Sequence, residues 1–133
     1  GRCGMMTSSS DCLAQMSDFS ALTAAILEFR DARDWRQFHS LRNLIVSLNL
    51  EAGELLELTQ WKTDAEIDAL PADPRAAEEL RDECADILLL LLLVADKAGF
   101  DLPAATWAKL AKNESKYPVA KAYGSRAKYT EFS

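Results

Sequence analysis

Histidine is nearly absent from this chain: His39 is the single one in 133 residues. That excludes centres built from imidazole clusters, including the Glu-x-x-His sites of di-iron and di-manganese helical bundles. Cysteine is scarce and scattered. Cys3, Cys12 and Cys84 form no spaced pair of the zinc-knuckle kind, and their odd number points to reduced thiols in a cytoplasmic protein. Glycine and proline are few, five and four, and no strand-like alternation stands out, which disfavours a fold rich in strands and tight turns. Positive charge is the minority sign: 15 Lys and Arg against 21 Asp and Glu leave a net charge of −6. No nucleic-acid polymer and no membrane surface is therefore expected as a partner. Long apolar runs are missing too. The longest, Ile87 to Ala95, falls well short of the roughly 20 residues that cross a bilayer. No basic segment followed by an apolar one opens the chain, so no signal peptide is expected. The opening "GRCGMM" reads as a cloning or tag-cleavage remnant running into an initiator Met.

What is present is helix-forming. Ala, Leu, Glu, Lys and Arg dominate, and 49% of residues are apolar, enough for one all-α domain with a core. Residues 1–16 are expected to be a flexible N-terminal segment, 17–118 the domain, and 119–133 a tail with no obvious element that contributes to the site. Within the domain a first helix starts near Ser17 or Asp18 and runs through "FSALTAAILEFRDAR". A linker with Trp35, Phe38 and His39 leads to a second helix over roughly 40–61. The two prolines of "KTDAEIDALPADP" mark a connection holding at most one helical turn. A third helix begins near Pro74 and stops at Gly99, and Pro103 opens a fourth that ends before Pro118.

The second and third helices share a flaw. At about 100° per residue, Leu41, Leu44, Ile45, Leu48, Ala52 and Leu55 form one apolar stripe, and Leu80, Cys84, Ile87, Leu91 and Val94 form another. Glu51 lies roughly 50° from the centre of the first stripe and Glu54 roughly 110°; Glu83 and Asp86 repeat those offsets on the second, in the same rotational sense. A short connection makes such helices antiparallel neighbours, so four carboxylates converge on one pocket. A cluster of that kind repels itself unless a cation sits within it, and an all-oxygen donor set suits Mg²⁺. Acid pairs three apart are commonly solvated faces. The matched offset on two adjacent helices weighs against that here, whereas Glu57, Glu78, Glu79 and Asp82 read as surface.

The order Glu-x-x-Glu, connection, Glu-x-x-Asp resembles the MazG-like all-α nucleoside triphosphate pyrophosphohydrolases. Four further segments, "RDWRQFHSLRNL", "GELLELTQWK", "NESKYP" and "RAKYTE", resemble the dCTP pyrophosphatase branch of that family, and the likeness extends over about residues 29–131. The resemblance implies a four-helix bundle-like domain that assembles as a dimer or dimer of dimers. It also implies Mg²⁺-dependent cleavage of a nucleoside triphosphate between the α- and β-phosphates. By the same resemblance Glu51, Glu54, Glu83 and Asp86 match the metal ligands, Trp35, His39 and Trp61 surround the base, and Asn113, Lys116 and Tyr117 lie near the phosphates. Lys62, Lys109 and Lys128 join that group as possible partners of pyrophosphate, and Glu51 and Glu54 are the two candidates for general base. Members of this branch often carry Tyr four residues after the metal-binding Asp, where this chain has Leu90. That departure touches base preference, leaving open dUTP or a broader range of nucleotides as substrate. A non-catalytic helical module, its leucines a partner groove, is the remaining alternative.

The apolar run Ile87 to Ala95 fits a homo-oligomer as well. A helix apolar on every side needs cover on every side, and a four-helix chain has few places to provide it.

Overall fold

The computed structural model describes residues 19–131, all helix, turn or irregular backbone, with no strand among them. The expected flexible segment, the caps Ser17 and Asp18, and Cys3 and Cys12 lie outside the described residues. Six α-helices follow in order: α1 Ser20–Ala32, α2 Leu41–Glu57, α3 Asp64–Asp68, α4 Pro74–Ala98, α5 Leu102–Lys116 and α6 Val119–Ala122. Three single turns of 3₁₀ helix separate or end them, at Arg36–Phe38, Leu70–Ala72 and Tyr129–Glu131. Among the described residues no helix is long and apolar enough to cross a membrane.

Local chemistry sets most boundaries. The Ser40 hydroxyl accepts from the Asn43 N–H at 3.1 Å and starts α2. Thr63 and Glu66 form a reciprocal capping box on α3. Asp73 accepts from the Ala76 N–H at 3.1 Å, with Pro74 in the first position of α4, an ordinary arrangement because proline has no N–H to leave unpaired there. At the other end Gly99 takes φ 79°, the left-handed conformation that lets its N–H return to the Ala95 carbonyl at 2.9 Å. The second helix stops at Glu57, four residues short of the expected Trp61. The Thr59 hydroxyl donates to the Leu56 carbonyl at 2.7 Å, and three-residue backbone turns follow up to Trp61, which takes φ 63°. The tail carries α6 and the last 3₁₀ turn, two elements its polar composition did not announce.

Contacts divide the chain into two compact units, one up to Gly99 and one from Phe100. In the first, α4 packs chiefly against α2, and also against α1 and the Leu70–Ala72 turn. Its core is small: Leu44, Ala77, Leu92, Leu93 and Ala95 are buried, and no described side chain is completely enclosed. From Ile87 to Val94 the apolar run is mostly only half-buried.

The inward face of α2 is not the predicted stripe. Leu44 is buried and Leu48, Glu51, Leu55 and Leu58 are half-buried, while Leu41, Ile45 and Ala52 are exposed. The face is rotated by about 60° from the expected centre, so that Glu51 stands in its middle. Leu41, Ile45, Ala52 and Leu56 form a second, outward apolar stripe. The broad band of leucines is thus two faces in one, and sequence periodicity averaged them.

In the second unit the Tyr117 and Tyr129 rings meet edge to face with centroids 6.1 Å apart. The Lys116 ammonium lies 4.8 Å over the Tyr129 ring, a cation–π contact that ties the end of α5 to the final turn.

Candidate active site

Antiparallel packing of α2 on α4 brings acids from both helices together. One carboxylate oxygen from each of Glu51, Glu83 and Asp86 lies within 4.8 Å of the others. Glu54 stands outside that triple but is close enough to share a hydrogen bond with Glu51. The Oε2 atoms of Glu51 and Glu83 are buried with no hydrogen-bond partner. Such a set cannot be fully ionised without a cation. The Glu51 carboxyl is pushed up to about 7, first because its proton is shared with Glu54, then by burial, by Glu83, and by the charges of Glu54 and Asp86. Burial also pushes Glu83 up, against the lowering effect of the Glu51 proton. Mutual repulsion and burial thus favour holding a proton within the Glu51–Glu83 group.

Glu51 and Asp86 also line a cavity of about 530 Å³. Its other walls are largely apolar: Leu22, Ile26 and Phe29 from α1, Leu89, Leu90 and Leu93 from α4, and Trp35 from the α1–α2 loop. This is the size range of small-molecule pockets. The Trp35 wall is braced. Its ring meets Phe29 edge to face at 5.7 Å, and the Arg33 guanidinium lies 3.6 Å from the Phe29 centroid and 6.0 Å from that of Trp35. The Arg30 carbonyl accepts from the Trp35 N–H at 3.1 Å. His39 is half-buried in the same wall, and its Nδ1 is buried without a hydrogen-bond partner. Burial, and then the positive charge of Arg30, hold its pKa below the ordinary imidazole value.

The sequence-predicted residues thus divide. Glu51, Glu83 and Asp86 converge, with Glu54 beside them, and Trp35 and His39 share the cavity with two of those acids. Trp61 does not line this cavity. It is 93% exposed at the end of the turn after α2. Lys62 follows it and donates from Nζ to the Leu58 carbonyl at 3.2 Å. Lys109, Asn113, Lys116, Tyr117 and Lys128 belong to the second unit, where Lys109 and Asn113 line a shallow groove along α5. Leu90, at the position where the resemblance led to an expectation of Tyr, is part of the apolar cavity wall.

Sequence reasoning missed Arg30 and Phe29. Arg30 is the one buried charged residue described, 8% exposed. Its Nε donates to Asp31 at 2.8 Å and its Nη1 reaches Asp96 on α4 at 3.5 Å. The signal was available: Arg30 follows Ile26 by four residues, a charge prolonging an apolar stripe, as Glu51 does on α2.

Comparison with known proteins agrees with this architecture. A family model described as the MazG-like family matches residues 46–132. Among curated relatives, dCTP pyrophosphatase 1 of Homo sapiens is 44% identical over 104 residues, 78% of this chain. The Rattus norvegicus protein of the same name is 43% identical over an equal span. The chain spans about 61% of the length of these relatives. A solved pyrophosphatase from Archaeoglobus fulgidus superposes with a TM-score of 0.69 at 39% identity, over 75% of this chain and 92% of that one. With the family model matched over more than half of its residues, and with acids from two packed helices meeting at one cavity, this chain belongs to the MazG-like family.

Proposed function

We propose that the chain is a Mg²⁺-dependent nucleoside triphosphate pyrophosphohydrolase acting on dCTP or a related deoxynucleotide. One observation carries the reading: Glu51 and Asp86 belong both to the acid cluster and to the wall of the apolar cavity. A triphosphate at the acids therefore leaves its nucleoside facing Trp35 and His39. The names of the relatives supply the substrate class, and their activity is carried over to this chain as a proposal.

The donor set fits the metal. Orphaned, buried Oε2 atoms on Glu51 and Glu83 are oxygen donors in want of a cation, and no sulfur or imidazole donor lies in the cluster. Glu51, Glu54, Glu83 and Asp86 would hold Mg²⁺, which supplies charge neutralisation at the phosphate oxygens.

The remaining work belongs to the chain. Trp35, braced by Phe29, offers an aromatic face for stacking, and His39 offers a polar edge. The apolar walls exclude water from the nucleoside. Water attacks the α-phosphorus, the bond from that phosphorus to the bridging oxygen breaks, and nucleoside monophosphate and pyrophosphate separate. Glu51 or Glu54 takes the proton from the attacking water. Pyrophosphate, carrying most of the charge, calls for a cation, and Lys62 is the candidate within the unit that holds the acids.

We further propose a homo-oligomer, dimer or dimer of dimers, in which the described helices complete a four-helix bundle-like domain in the cytoplasm. The incompletely covered core and the exposed stripe of Leu41, Ile45 and Leu56 support this. Leu90 supports a second reading within the same chemistry. An apolar wall without a hydroxyl there makes base selection broader, to dUTP or several nucleotides.

The test is product analysis with a panel of dNTPs and NTPs, with Mg²⁺ or with EDTA, on the parent protein, Glu83→Gln and Asp86→Asn. The expected result is monophosphate plus pyrophosphate, fastest from dCTP, dependent on Mg²⁺ and reduced at least about 100-fold in both variants. Equal rates across the panel would leave the reaction and remove the dCTP assignment. No turnover by folded, Mg²⁺-supplied protein would make the chain a binding module.

A further inference from the structure

Behind the base cavity lies a smaller polar cleft of about 170 Å³, lined by Arg30, Arg36, His39, Asp96 and Lys97 with Leu44 and Leu93. Arg30, His39 and Leu93 line both spaces, so the imidazole stands in the partition between them. We propose that Arg30 is a positioning residue for the base cavity: it clamps α1 to α4 through Asp96 and fixes a positive charge in the partition that it shares with His39.

Arg30 is suited to this by three features. Its guanidinium is nine-tenths buried and held by carboxylates from two helices, Asp31 on α1 and Asp96 on α4. Its charge is permanent, because both carboxylates favour the protonated form. Its carbonyl accepts from the Arg33 and Trp35 N–H groups at 3.2 and 3.1 Å. The main chain at position 30 thus holds the turn that carries the stacking ring, and the side chain alone sets the charge around the polar reader.

The charges around His39 do not all agree. On the cleft side Arg30, Arg36 and Lys97 oppose protonation and Asp96 favours it. Across the larger cavity Glu51 and Asp86 also favour it. Burial and Arg30 are the influences that prevail, and both hold the ring neutral. A neutral imidazole has one donor and one acceptor nitrogen, whereas an imidazolium has two donors. With Nδ1 buried and unpaired, the protonation state decides whether the pocket can both give and take a hydrogen bond.

This rests on the proposed nucleotide pocket, but its first readout does not. His39 is the only histidine in the chain, so its ring resonances are assigned without ambiguity. The experiment is an NMR titration of the full-length protein, in parallel with pH profiles of KM and kcat on dCTP. It compares the parent with Arg30→Met, Arg30→Lys and Asp96→Asn. In Arg30→Met the His39 titration moves upward, and KM rises about fivefold at the acidic end, the equivalent of one neutral hydrogen bond, with kcat little changed. Arg30→Lys restores the parent titration. Asp96→Asn unties the clamp, keeps the charge, and leaves His39 titrating no higher than in the parent. Identical His39 titrations in all four folded proteins would overturn the inference, as would Arg30→Met and Asp96→Asn shifting it alike. If no nucleotide is hydrolysed, the proposed function fails, while the titration still decides the link between Arg30 and His39. Should Arg30→Met not fold, the Lys and Asn variants carry the test: a titration that follows the clamp instead of the charge overturns it.

Discussion

Replacing Glu51 by Gln removes one charge from the acid cluster while keeping the side chain's shape and its capacity to donate a hydrogen bond. In metal-free protein the Glu51 carboxyl titrates at about 7 in place of 4.5. That gap of about 2.5 pH units corresponds to roughly 3 kcal/mol at 1.36 kcal/mol per unit. Glu51 is only half-buried, so solvent and counterions screen the effect, and about 1–2 kcal/mol is the expected size. The direction follows from linkage. An acid whose pKa rises on folding binds more protons folded than unfolded, so its contribution is intact below 4.5 and lost as pH climbs through about 7. The Glu51→Gln protein has no such loss. Urea unfolding in EDTA should therefore give near-equal stabilities at about pH 5. At about pH 8 the variant should be more stable by about 1–2 kcal/mol, or roughly 4–7 °C in Tm. Magnesium should reverse the order by stabilising the parent alone, through mass action on the folded state. A variant no more stable than the parent at pH 8 in EDTA would refute the description of Glu51 as a member of a self-repelling cluster whose pKa rises on folding.

Two further outcomes probe the packing. Leu92, 2% exposed on α4, is expected to lose about 3 kcal/mol on truncation to Ala, within the usual range for a buried leucine. A midpoint in urea unmoved by Leu92→Ala would show that the run it belongs to is not core. Ile45 and Leu56, 44% and 69% exposed, are candidates for the contact between copies. The double variant Ile45→Glu/Leu56→Glu should appear as a monomer by light scattering and lose at least about tenfold in turnover, since charge at the centre of an interface is strongly unfavourable. Parent-like mass and rate would instead make the outer stripe of α2 ordinary surface.

The acids were legible in the sequence because their signal is a contradiction. Glu51 and Glu83 interrupt apolar stripes at matched positions, and a bound proton or cation at the meeting point is what relieves both. Several helix boundaries were equally legible, since Ser40 and Pro74 at starts and Gly99 at a stop each do one local thing whatever surrounds them. The end of α2 was not. Nothing in "LTQW" breaks a helix outright, and the stop comes from a hydroxyl returning to its own backbone, followed by one left-handed residue. The facing of α2 was misread for a different reason. Periodicity reports which residues are apolar, and a helix with apolar residues on two faces has no single stripe to report. Arg30 was passed over because an isolated cation near apolar residues is common, and its partner Asp96 lies 66 positions away.

The outward stripe on α2 has a consequence for the life of the protein. When a second copy covers that stripe, as proposed, part of each chain's interior is supplied by another molecule. Abundance and stability are then one variable. Dilution acts as a denaturant, the melting temperature climbs with concentration, and a newly made chain stays exposed to proteases until it meets its twin.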